Sequence, residues 1–177
     1  MNRTLMFAAA LLSITSAAQA QRVSQMAVAV PGYQRVVLLD TVVVWTEVEG
    51  PAAATYSAVR RSLDALKIPV ALADSEHFFM YNAAIKMSRR IAGQPMTWAM
   101  KCGLDVTGID FAQSSRMTMA IAVLVDTAAN GRSRVGTAFT GGAQTLEGTA
   151  RAPIPCTTTG ALEQRIVEEA HLKPIHP

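Results

Sequence analysis

Residues 116–139 read RMTMAIAVLVDTAANGRSRVGTAF, and this stretch decides the fold. Met117, Met119, Ile121, Val123 and Val125 recur at a period of two, which gives a strand with one buried face. The intervening Thr118, Ala120 and Ala122 make the other face mostly small. Asn130-Gly131 readily takes the positive φ values of a tight hairpin turn. Val135, Thr137 and Phe139 then alternate on the returning strand, so the two halves are expected to pair antiparallel.

Upstream, Val36 to Val48 (VVLLDTVVVWTEV) is a β-branched run that favours a buried strand, because branched side chains suit a pleated surface and lose rotamer freedom in a helix. Gly50-Pro51 ends it. Proline is pre-set for the first helical position, and Tyr56, Val59, Leu63 and Leu66 at steps of three and four predict a helix from about Pro51 to Lys67. Ile68-Pro69 stops that helix. A short strand is expected over Val70–Ala73, a turn at Asp74-Ser75-Glu76, and a second strand over His77–Ile85, where Phe78, Phe79 and Tyr81 cluster. Ala92-Gly93-Gln94-Pro95 reads as a break, and Met96–Cys102 is too short to assign.

Downstream, Gly141-Gly142 and Pro153-Ile154-Pro155 read as breaks before a closing helix from about Thr158 to Leu172. Leu162, Ile166 and Ala170 share one face of it. Thr158 or Thr159 can cap it, and Glu163 in the first turn suits the positive end of the helix dipole. The order strand, helix, strands, helix defines an α+β fold: an antiparallel sheet with two helices packed on one face. A parallel α/β fold needs a helix between successive strands, and the chain has too few.

The chain has 177 residues, 50% hydrophobic and 16% charged, which excludes intrinsic disorder and collagen-like repeats. Residues 1–20 have the layout of a cleavable export signal: Arg3, an apolar run from Leu5 to Ile14, and Ala18-Gln19-Ala20 as a small-x-small cut site. The apolar run is shorter than the roughly 20 residues that cross a bilayer, so the mature chain is expected to lack a membrane span and to be periplasmic or secreted. Residues 21–35 read as a leader and 36–172 as a single domain. Without the signal, 15 basic residues face 13 acidic ones. Arg60-Arg61, Arg89-Arg90 and Arg132/Arg134 are separate pairs with acids nearby, which excludes a nucleic-acid surface.

Cys102 and Cys156 are the only cysteines, and in an oxidising compartment they are expected to pair. Their separation gives no sign of a redox Cys-x-x-Cys motif. Met80, Met87, Met96, Met100, Met117 and Met119 raise a Cu(I)-thioether reading, against which adaptable core filling is the stronger account. His77 beside Asp74 and Glu76 is the one candidate for general-base or metal chemistry. Asp105 and Asp110 flank Gly108, with nothing to orient them together. Nucleophile-elbow, phosphate-loop and dinucleotide motifs are absent, and no cofactor is implied.

The leading expectation is therefore a non-enzymatic exported domain that binds a cell-envelope protein or a small apolar ligand. Trp45, Phe79, Trp98 and Phe139 are the candidate lining of its cleft, with core packing the competing role for each. The alternative is a small hydrolase or metal-dependent enzyme assembled around His77.

Arg89-Arg-Ile-Ala-Gly93, Cys102-Gly103 and the run Cys156-Thr-Thr-Thr-Gly-Ala-Leu-Glu163 resemble a family of small uncharacterised secreted bacterial proteins. That family shares a Cys-Gly and a later Cys-x-x-x-Gly-x-Leu-Glu, and the resemblance covers about residues 42 to 170. It implies structural motifs and carries no activity. The order of elements is also similar to the helix-grip domains of outer-membrane assembly lipoproteins, whose lipid-bearing Cys this chain lacks.

Overall fold

A computed structural model describes residues 27–28, 37–38, 43–144 and 153–175. The expected signal, residues 36 and 39–42 of the first expected strand and all of the leader except Ala27–Val28 lie outside these residues. In chain order the elements are β1 (Ala27–Val28), β2 (Val37–Leu38), β3 (Val44–Val48), α1 (Ala52–Ala65), β4 (Leu72–Asp74), β5 (Phe79–Ser88), β6 (Arg90–Ile91), β7 (Gln94–Pro95), α2 (Met96–Ala99), β8 (Met100–Lys101), α3 (Phe111–Ser114), β9 (Arg116–Thr127), β10 (Ser133–Gln144), β11 (Ile154–Thr158) and α4 (Ala161–Glu169). The fold is α+β, as expected.

The hairpin β9–β10 is its axis, paired antiparallel in unbroken register from Ser133↔Thr127 to Gln144↔Arg116. Its turn is longer than two residues: Ala128 N–H bonds Arg132 O across a short 3-10 turn, with Asn130 and Gly131 both at positive φ. The sheet has seven strands in the order β4-β5-β9-β10-β11-β8, and β3 shares the outer edge of β10 with β11. β3 lies against Ser133–Thr137, and β11 against Gly141–Ala143.

Both long helices cover one face. Tyr56, Val59 and Leu63 from α1 and Leu162, Ile166 and Val167 from α4 join Met117, Met119, Ile121, Val123, Val125 and Phe139 in one core. This matches the residues that the two periodicities select. Two buried hydroxyls fix α1: Thr55 Oγ1 is 2.7 Å from Ser133 Oγ, and Ser62 Oγ donates to Ile166 O at 2.7 Å. A smaller cluster of Phe79, Ala120, Ala122 and Ala138 lies on the opposite face of the sheet.

Local expectations change at several places. The expected buried strand Val36–Val48 gives β2, paired with β1 in a two-stranded sheet of its own, and β3 on the main sheet, of whose residues only Val48 is buried. Gly141 and Gly142 sit inside β10, paired with Cys156 and Pro155, instead of ending it. A side chain at Gly141 would meet Met119 Cγ at 3.0 Å and Met100 Sδ at 3.1 Å, so the position serves close packing. Ile154–Thr158 is a strand, and the closing helix starts later, at Ala161. The Ala92–Pro95 break is a hairpin between β6 and β7, turning on Ala92 and Gly93 at positive φ. Residues 96–101 form the short α2 and β8.

Candidate functional site

His77 stands in an exposed turn. Its Nδ1 is 2.7 Å from Asp74 Oδ2, and Asp74 Oδ1 accepts from the backbone N–H groups of Glu76 and His77. The hydrogen bond to Asp74 raises the pKa of His77 above its ordinary value and lowers that of Asp74. Every partner comes from the same few residues, and among the described residues no three His, Cys, Asp or Glu side chains gather into a metal-binding group. The turn explains the cluster without a reaction.

Cys102 and Cys156 are joined in a disulfide. Asp105 and Asp110 serve the loop after it. Asp105 Oδ1 accepts from Thr107 N–H, the Thr107 hydroxyl and Ile109 N–H, while Asp110 Oδ1 caps α3 through Ala112 N–H and accepts from Cys102 N–H. Met80, Met96, Met100, Met117 and Met119 are all core residues.

The four candidate aromatics occupy separate places. Phe139 is buried in the helix-side core, and Trp98 packs half-buried against that core. Phe79 is buried on the opposite face and stacks on Tyr81 at 6.2 Å. Trp45 alone is open, with 42% of its surface exposed. Its ring covers Gly136, and Arg134 Cζ lies 4.5 Å from the ring centre while that guanidinium also holds Asp126 at 2.6 Å.

On the other face of the sheet from that ring, a groove of about 1100 Å³ lies between β3 and α4. Val44 and Thr46 line one wall, with Trp45 reaching it at the strand edge, Gln164 and Val167 line the other, and Pro174 and Ile175 close one end. The closing segment is held on β3 by Ile175 N–H to Glu47 O at 2.9 Å and by a bridge between Val48 and Pro174. Glu47, Arg132 and Glu168 add charge to the lining, so the groove combines apolar walls with several polar groups.

Glu163 also lines this groove and is only 3% exposed. Its Oε1 accepts from Thr158 Oγ1 at 2.6 Å, while Oε2 is buried without a hydrogen-bond partner. Burial raises its pKa, opposed by the Thr158 hydrogen bond and by its own backbone N–H. Thr158 Oγ1 in turn accepts from Gly160 N–H, and Thr159 Oγ1 accepts from Ala161 N–H, so both threonines act at the helix start.

Sequence reasoning assigns Glu163 to the helix dipole and misses its burial. The available signal was spacing: Glu163 stands three and four residues before the buried Ile166 and Val167, on the same stripe of the helix. Comparison with family models finds no match to this chain, and comparison with curated proteins finds none either.

Proposed function

We propose that this is a non-enzymatic binding domain, exported to the periplasm or beyond, whose small apolar ligand seats in the groove between β3 and α4. The observation that carries this reading is the groove itself, walled by Val44 and Thr46 on one side and Val167 on the other. Its size suits a small-molecule site. The disulfide agrees with an oxidising compartment. Export through a cleaved signal belongs to this same reading. His77 faces solvent with partners from its own turn only, so no specific observation favours an enzyme assembled there.

Titration with the neutral apolar dye 1-N-phenylnaphthylamine tests the groove. Saturable one-to-one enhancement, lost in Val44→Asp and kept in Trp45→Ala, whose ring lies on the other face of the sheet, with the circular dichroism unchanged, is the expected result. Enhancement indifferent to Val44→Asp would remove the groove as the site.

A further inference from the structure

We propose that the loop 103–110 and the cationic residues beside it form a docking surface for an anionic lipid bilayer, distinct from the groove under α4. Leu104 is 67% exposed, Val106 fully exposed and Ile109 44% exposed. Single exposed apolar residues need no explanation, but three in six positions on one loop do. The loop holds them outward by construction. Asp105 gathers Thr107 and Ile109 with its carboxylate, Asp105 N–H bonds Ile109 O at 2.8 Å, Phe111 N–H bonds Gly103 O at 3.0 Å, and Leu104 bridges Asp110. The disulfide at Cys102 fixes its base. A tip ordered before contact loses little further freedom on docking.

The charge beside the tip is positive. Ile109 lines one hollow together with Arg89 and Arg90, and Lys86 and Arg116 line the next, where Ser88 pairs with Arg116 across the sheet. Among the described residues none of these four cations forms an ion pair, and Arg90 binds only the Gly93 carbonyl. The acids of the loop itself, Asp105 and Asp110, turn their carboxylates onto its own backbone N–H groups.

An apolar tip flanked by cations matches the bilayer interface, where anionic headgroups lie above acyl chains. The shape selects lipid over protein. Val106 projects with no neighbour to form a flat or concave patch, and a fluid bilayer accepts a convex tip that a protein surface would need a matching pocket to receive.

The test is flotation of the disulfide-bonded chain, purified after export, with vesicles of phosphatidylcholine alone and with phosphatidylglycerol added. Binding is expected with the anionic vesicles and is weakened by salt. Val106→Asp should weaken it about tenfold or more, and Arg89→Gln with Arg90→Gln about tenfold. Val106→Trp provides a gain: tighter binding and a blue-shifted emission that appears only with anionic vesicles. Equal flotation of the wild type and Val106→Asp, or no response of Val106→Trp, overturns the proposal. So does a Val106→Asp-sensitive complex with an envelope protein in the absence of vesicle binding. Dye binding in the groove is independent of all these variants, so either reading can fail alone.

Discussion

Glu163 stands in the first turn of α4, where the helix dipole favours a negative side chain, yet burial pushes its carboxyl toward the neutral form. Folding thus raises its affinity for a proton. The associated stability is complete below about pH 4.3, the ordinary glutamate value, and is lost as pH rises through the folded-state value. Glu163→Gln keeps the shape and removes the titration. Its urea midpoint relative to wild type should therefore climb as pH rises from about 4.3 through the folded-state value; parallel pH curves would contradict the burial argument. His77 has the opposite exposure. Its raised pKa places its contribution below about pH 6.5, fading as pH rises through the folded value, and full solvation keeps that contribution small. In an NMR titration His77 should titrate above the ordinary value and fall back toward it in Asp74→Asn, with Glu76→Gln moving it less. A titration unmoved by Asp74→Asn would break the assigned pairing.

The elements most legible in the sequence are those with an uninterrupted period. The alternation from Met117 to Val125 and the stripe Tyr56, Val59, Leu63, Leu66 each name one buried face, and both faces meet in the same core. Boundaries were less legible wherever a residue serves a distant neighbour. Gly141-Gly142 looks like a break because local conformation favours it, while its packing against Met119 and Met100 is decided by residues far along the chain. The groove is obscure for the same reason. Val44 and Glu163 are visible as residue types, but the groove between them exists because α4 and Pro174–Ile175 return to β3. The hairpin β9–β10 gives a direct test of this close packing. A Cβ at Gly136 would lie 2.7 Å from Trp45 Cζ3 and 2.8 Å from Val43 Cγ1. Trp45 is open enough to swing aside, at the loss of its contact with Arg134. Gly136→Ala should destabilise the protein by about 1–2 kcal/mol, with a change in Trp45 fluorescence measured in a Trp98→Phe background. Unchanged stability and emission would show that the ring does not rest on the glycine.

Across the whole molecule, the disulfide reinforces a seam between positions 54 residues apart. β8 pairs with β11 at Thr157↔Lys101 and Thr158↔Met100, and Thr159 continues the seam by donating its N–H to Ala99 O and its hydroxyl to Trp98 O. On one side the disulfide anchors the loop that carries Leu104, Val106 and Ile109. On the other it precedes Thr158, which holds both the start of α4 and the Glu163 carboxyl. Unfolding of the bonded chain leaves this loop closed, so the constraint acts mainly by limiting the unfolded ensemble, worth about 4 kcal/mol in the chain-entropy estimate. Cys102→Ala with Cys156→Ala should lower the urea midpoint by an amount approaching that value. The two buried sulfurs pack among Met100 and Ala112 in the core, so Ala at both positions also removes some packing. Reduction of the wild-type bond without substitution separates the two effects: a fall in midpoint on reduction alone isolates the cross-link, and an unchanged midpoint would assign the stability to packing. The base of the apolar loop should loosen in the same experiment, seen as faster amide exchange at Asp105 and Ile109, because their mutual hydrogen bonds then lose their fixed anchor at Cys102.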